Sequence, residues 1–182
     1  PQLAGGLASG VIGAVRSITA KDLSLRLAWS SLENYGLRTA GLGLGLLGWH
    51  AGDPVAAFLG FAGAILHMLN HAVSKALMFL SAGTVYARSG TRLLDRMGGL
   101  LGRLPLTGFL FLLGGLGAAA IPPLNGFARE FLLLLSASDR AAGGLRSAVP
   151  AAVRVLALAF LAVLGGVAAA GGVQPLGLVF LG

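Results

Sequence analysis

The sequence predicts an all-α fold: a polytopic transmembrane helix bundle with one broken helix. Three observations predict it. Of 182 residues, 56% are hydrophobic and only 10% are charged, against roughly 25% charged in an ordinary soluble domain. The apolar residues form runs close to the ~20 residues that a membrane-spanning helix needs. The runs are continuous and rich in Leu, Ala and Gly, whereas barrel strands would be about 10 residues long with alternating polarity. Mean hydropathy is +0.87, which excludes intrinsic disorder. There is no cysteine, so disulfides, thiolate metal sites and thiol nucleophiles are excluded.

The elements follow in order. Runs at 3–20, 27–49, 55–87 and 105–121 are each expected to be a spanning helix, the third longer than a bilayer requires. A fifth run, 126–137, is too short to cross unaided. It follows Pro122, Pro123 and Gly126, which break the apolar pattern. Such breaks are tolerated at depth where the freed backbone lines a polar cavity. The sixth run is 151–171, and 174–182 reads as the start of another element. The sequence opens at Pro1 without a basic region and cleavage site, so it shows no signal peptide. It reads as an internal fragment, truncated at both ends, of a longer membrane subunit.

The net charge is +7. If all six runs cross, one set of links holds Arg16, Lys21, Arg26, Arg88, Arg92, Arg96, Arg103, Arg140 and Arg146, and the opposite set holds no Lys or Arg. Nine against none is a positive-inside pattern that assigns the Arg-rich links to the cytoplasm. Basic residues confined to short links between spans also argue against nucleic acid as a partner. The lipid bilayer is the expected surrounding.

Several ionisable residues fall inside the runs, where each costs at least ~2.5–3.5 kcal/mol at mid-membrane. His67, His71 and Lys75 are spaced i, i+4, i+8. A helix stacks them on nearly one face, about 6 Å apart along its axis, with Asn70 close by. Titratable groups with gaps that water can bridge are what a proton path requires, and lysine can give up and regain a proton. The plainer alternative is a polar seam between helices. A metal site is not expected, because the glutamate of HExxH is absent and Lys75 repels a cation. Glu130 follows the broken segment, as ionisable residues do at the discontinuous helices of transporters. Its neighbour Arg129 is expected to be structural. Glu33 follows Ser30 and Ser31, beside Asn34. Arg38 lies about 140° round the helix from it and is not an obvious partner. Arg154 is expected to snorkel to the cytoplasmic face. The run GLGLGLLG at 41–48 lacks the strand–turn–helix context of a dinucleotide fingerprint. Its glycines fit close helix packing better. No redox cofactor box is visible.

Four segments carry a family resemblance: DLSLRLAWSSLENYG (22–36), LHMLNHAVSKALMFLSAGTV (66–85), GTRLLDRMGGL (90–100) and IPPLNGFAREF (121–131). In this order they resemble the antiporter-like, proton-conducting membrane subunits of complex I and its relatives. The SSLEN and PPLNGF forms look most like the hydrogenase-4 component B and formate hydrogenlyase branch, and so does the terminal GLVFLG. The resemblance implies a subunit of about fourteen helices, with 1–182 part of one proton-antiporter-like domain. It implies a multi-pass location in a bacterial or archaeal plasma (inner) membrane. It places the family's central lysine on Lys75, that lysine's histidine neighbours on His67 and His71, and its exit-side ionisable residue on Glu130. The uptake-side glutamate and lysine would precede Pro1. Where the family usually has lysine in DLKRLLAYSS, this sequence has Ser24. Lys21 and Arg26 are nearby but not at the matching position.

Three functions are therefore weighed. The first is a cofactor-free proton-translocating subunit of a hydrogenase or NADH–quinone oxidoreductase-like complex. It would do no redox chemistry itself, and its partners would be the other membrane subunits. The second is a subunit of a multisubunit sodium/proton antiporter, with sodium as the alternative coupling ion. The third, kept open by Ser24, is a non-conducting membrane scaffold. The expected proton pathway is Glu33, His67, His71, Lys75 and Glu130, with no catalytic, cofactor-binding or metal-binding residue.

Overall fold

The computed structural model describes residues 1–119, 125–137 and 151–182. Six α-helices stand among them: α1 (Gln2–Thr19), α2 (Leu23–His50), α3 (Pro54–Ser89), α4 (Pro105–Ala118), α5 (Asn125–Ala137) and α6 (Ala151–Leu176). No strand occurs among the described residues. The helix starts are set locally. The Asp22 side chain accepts a hydrogen bond from Leu25 N at 2.9 Å. That of Asp53 accepts from Val55 N and Ala56 N at 3.0 and 2.9 Å, ahead of Pro54 at the first helical position. Both satisfy amide groups that a helix start leaves open. Gly90, at φ 70°, ends α3 in the left-handed conformation that glycine adopts without penalty.

The first three helices pack on glycine. On α1, Gly6, Gly10 and Gly13 lie against the backbone of α2 from Trp29 to Ala40, so closely that a Cβ at Gly36 would sit 2.5 Å from Gly10 Cα. On α2, Gly41, Gly45 and Gly48 meet Ala64, Gly60 and Ala57 of α3, while Gly43 turns to Leu3 of α1. The Gly-rich run is therefore a two-sided packing surface, as membrane helices use small residues. Its antiparallel register carries on to Ser30 opposite Lys75.

Helices α4 and α5 lie end to end along α3. A Cβ at Gly114 of α4 would meet Ser74 O and Met78 of α3. Farther along, Leu133 of α5 reaches Gly63, and Ser136 Oγ of α5 donates to Ala56 O at 2.9 Å. At 14 and 13 residues, each is about 20 Å long, too short for a ~30 Å hydrocarbon core. Together they make one broken crossing. α6 runs antiparallel to α4, with Gly172 against Gly115 and Phe180 against Gly108. It does not stop at 171. It continues through Pro175 into a π turn, Gly177–Leu181, closed by Gly182 N to Gly177 O at 2.8 Å. Proline removes one amide donor from the helix. The segment 174–182 is thus the end of α6 and not a separate element.

The bundle has two ends. At one, the link after α3 is pinned to the link before α2, with Leu23 N donating to Arg92 O and Leu94 N to Lys21 O, both 2.9 Å. A 3₁₀ turn, Leu94–Arg96, follows, then a second, Leu100–Gly102. Gly182 closes on Gly98 there. The other end holds the Asp53 turn and the finish of α5. Because α4 and α5 cross once between them, α5 ends and α6 begins at the Asp53 end. Arg140 and Arg146, expected on the side of Arg88–Arg103, lie outside the described residues. Arg154 stands at the start of α6, also at the Asp53 end. Its side chain, like that of Arg129, lies outside the described residues.

Among the described residues two helices, Pro54–Ser89 and Val155–Leu181, are long and apolar enough on their own to cross a membrane. α2 carries Arg26, Glu33 and Arg38 and buries two of them. Around the bundle, Trp49, Phe58, Val73, Leu80 and Leu106 face outward, an apolar exterior suited to lipid or neighbouring helices.

Candidate functional site

The 36-residue α3 carries the polar row. His67, His71 and Lys75 are 1%, 6% and 7% exposed, so the i, i+4, i+8 spacing does put all three on the face that meets α2. The imidazole rings stack with centroids 5.8 Å apart and 16° between planes. Tyr35 of α2 meets His71 edge-on at 6.1 Å. The Arg38 guanidinium lies over the Tyr35 ring at 4.7 Å, a cation–π contact that accounts for an arginine with no evident partner in the sequence. A cavity of about 270 Å³ opens along this seam, lined by Asn34, Tyr35, Arg38, His67, His71 and Lys75 among others. It has room for several waters at ~30 Å³ each.

Lys75 crosses to α2. Its Nζ donates to Leu27 O at 3.0 Å and to Ser30 Oγ. Ser30 Oγ in turn donates to Leu27 O at 3.1 Å. A backbone carbonyl and a hydroxyl thus hold the ammonium. The sequence did not point to either partner, because a carbonyl leaves no mark on residue type and serines are common in membrane helices.

Glu33 is fully buried, at 0% exposure, one turn beyond Ser30. Its backbone is wedged against α1 at Gly13. Among the described residues neither carboxylate oxygen has a hydrogen-bond partner. It lies within electrostatic reach of Lys75 on α3 and Glu130 on α5. Glu130 sits early in α5, just past the break. Its carboxylate rests on the α6 backbone at Gly165, where a Cβ would overlap Oε2 and stand 3.2 Å from Cδ. The glycine makes the space for the acid, a role visible only once α5 and α6 are packed. The five expected residues therefore stand on three neighbouring helices: His67, His71 and Lys75 along one face of α3, Glu33 on α2 and Glu130 on α5, with Glu33 in electrostatic reach of Lys75 and Glu130. Two imidazoles beside an ammonium make a poor cation site.

Arg26 does not belong with the link charges. It is 3% exposed in the first turn of α2, where Nε donates to Ser17 O at 2.9 Å and Nη2 to Ile18 O. It caps the carbonyl end of α1, as basic side chains do at helix C-termini.

A helix bundle with a broken crossing, an apolar exterior and buried titratable residues defines a class of multi-pass membrane subunit. The family described as "NADH:quinone oxidoreductase/Mrp antiporter, TM" matches residues 3–156, and the chain belongs to that family. It is 37% identical over 180 residues to hydrogenase-4 component B of Escherichia coli strain K12, covering 97% of this chain and 26% of that protein. It is 35% identical to formate hydrogenlyase subunit 3 of the same strain, covering 72% and 22%. It is 37% identical to a Na(+)/H(+) antiporter subunit of Alkalihalophilus pseudofirmus, covering 70% and 16%. The chain thus spans about a quarter or less of these relatives. The structure of the Mrp complex from Dietzia sp. DQ12-45-1b contains the same fold. It matches with a TM-score of 0.80 at 23% identity, over all of this chain and 30% of that one. These relatives are subunits of multisubunit membrane assemblies.

Proposed function

We propose that this chain supplies part of a proton-translocating, cofactor-free membrane subunit of a hydrogenase or complex I-like assembly, residues 1–182 lying within one antiporter-like domain. The observation that carries the reading is the position of Glu33, in electrostatic reach of both Lys75 and Glu130. It supports a lateral proton route from α3 through α2 to α5, with the His67–His71 row and its cavity as the approach to Lys75. Two carboxylates and one ammonium occupy a region where net charge is costly. A proton added to one carboxylate brings that group of three to neutrality, and a change at one group is felt by the next at low local dielectric. The chain would do no redox chemistry of its own. A partner's conformational or electrostatic change would drive the proton, and the arginine end would face the cytoplasm.

The identity to the sodium/proton antiporter relative keeps a second reading, with sodium as a coupling ion. Reconstitution of the full-length subunit in its assembled complex tests both. Proton flux that is independent of sodium supports the first reading, and flux that requires a sodium gradient supports the second. Assembled complex that moves neither ion through this subunit supports a non-conducting scaffold.

A further inference from the structure

Away from the buried titratable residues, the arginine end holds a second cavity, of about 570 Å³. Arg88, Arg96 and Arg103 line it together with Met97, Leu100 and Leu104. Arg88 in the last turn of α3, Arg96 in the first 3₁₀ turn and Arg103 just after the second thus line one cavity. Among the described residues no carboxylate lines the cavity. The nearby Asp95 is paired instead with Lys21 at 3.9 Å on the open surface. The positive charge in the cavity is therefore left for an anion from outside.

The position of the cavity narrows the choice of anion. At ~1.5 Å per residue the 36-residue α3 is about 54 Å long, well beyond a ~30 Å hydrocarbon core, so its last turn emerges at headgroup level. Tyr86, one half-turn earlier and exposed, carries the Arg92 guanidinium over its ring at 4.4 Å, and aromatic rings mark that level. Met97, Leu100 and Leu104 add apolar side chains to the same lining. Shortly after Leu104 in the chain, Leu106 and Phe109 of α4 are exposed. A cavity with a mixed basic and apolar lining, close in the chain to exposed apolar residues, is matched in chemistry to an amphiphile. Its volume falls in the range of ordinary small-ligand sites. The backbone bonds between Lys21, Leu23, Arg92 and Leu94 hold the turns in place without a ligand.

We propose that Arg88, Arg96 and Arg103 bind the phosphate headgroup of an anionic phospholipid, whose acyl chain leaves along Leu104, Leu106 and Phe109. Guanidinium groups suit this task through paired donors to phosphate oxygens, and basic pockets between membrane helices bind such headgroups. The site is independent of whether the buried titratable residues conduct.

The test uses the full-length subunit in its assembled complex, in phosphatidylcholine nanodiscs carrying a minor fraction of spin-labelled phosphatidylglycerol. The expected result is immobilised label that inorganic phosphate does not displace. Selectivity for phosphatidylglycerol over labelled phosphatidylcholine should fall by roughly tenfold or more in Arg88→Gln/Arg96→Gln/Arg103→Gln. Lys21→Gln, outside the cavity, should leave it unchanged. Should the triple variant fail to assemble, Arg103→Gln alone is expected to lower selectivity roughly fivefold. Unchanged selectivity in the assembled variants, absence of immobilised label in the parent complex, or displacement of the label by inorganic phosphate would each overturn the assignment. The last of these would mark a site for free phosphate.

Discussion

Lys75 Nζ reaches across from α3 to donate to the carbonyl oxygen of Leu27 at 3.0 Å, sharing that oxygen with the hydroxyl of Ser30. The ammonium is held by neutral acceptors, one turn of α2 away from the Glu33 carboxylate. Ser30→Ala removes one of the two acceptors and leaves the carbonyl. A hydrogen bond to a charged group contributes about 1.5–3 kcal/mol, so the variant is expected to assemble and to conduct protons at a clearly altered rate. Proton flux at matched subunit levels checks this. Wild-type flux in Ser30→Ala would show that the clamp is incidental.

Glu130→Gln keeps the shape of the side chain and removes its titration. It is expected to lower the proton-to-electron ratio of the full complex while leaving assembly intact. Electron transfer and proton uptake measured together in vesicles give that ratio. An unchanged ratio would reduce Glu130 to packing.

Gly165 and Gly166 make a sharper contrast. A Cβ at Gly165 overlaps the Glu130 carboxylate, whereas one at Gly166 meets nothing within 4 Å. Overpacking typically costs about 1–3 kcal/mol. Gly165→Ala should therefore displace the carboxylate and impair flux, and Gly166→Ala should behave as wild type. Equal behaviour of the two in thermal stability and flux would mean that Glu130 does not rest on α6.

The glycine seam between α1 and α2 predicts structural damage of a different kind. At Gly36 an added Cβ would meet the backbone of Gly10, which cannot move aside as a side chain can, whereas Gly5 has open space. Gly36→Ala is expected to lower the thermal stability of the detergent-purified complex and its yield. Gly5→Ala should leave both unchanged or slightly raised, since alanine favours helix by about 1 kcal/mol over glycine.

The length of α3 makes a prediction about sidedness. A single cysteine at Asp53→Cys should be labelled by an impermeant maleimide from one side of the membrane, and Arg92→Cys from the other. Labelling of both from one side would contradict a crossing by α3. Labelling of Arg92→Cys from the periplasm would reverse the proposed orientation.

Much of this arrangement was legible in the sequence, for physical reasons that differ by element. The α3 row was legible because three titratable residues at i, i+4, i+8 admit one geometry on a helix. The break before Glu130 was legible because two prolines cannot continue an α-helix. The crossing parity was not. The runs 105–121 and 126–137 read as separate elements in the sequence, and only their contacts along α3 show that α4 and α5 share one crossing. Arg26 looked like a link charge because a sequence does not show that α1 ends on exposed carbonyls needing a donor. Gly165 and the Leu27 carbonyl were invisible for the same kind of reason. Both act through space and backbone, and neither leaves a mark on the pattern of residue types.

The most direct measurement is proton flux through proteoliposomes containing the whole complex with Lys75→Met, at expression matched to wild type. Methionine keeps much of the length and apolar stem of lysine and removes the titrating group. Membrane insertion should be near normal and proton transfer strongly reduced. Lysine-to-arginine at the same position should also conduct poorly, because a guanidinium does not release its proton. Wild-type proton flux in Lys75→Met would contradict the account and leave the His67–His71–Lys75 row as a structural seam in a non-conducting scaffold.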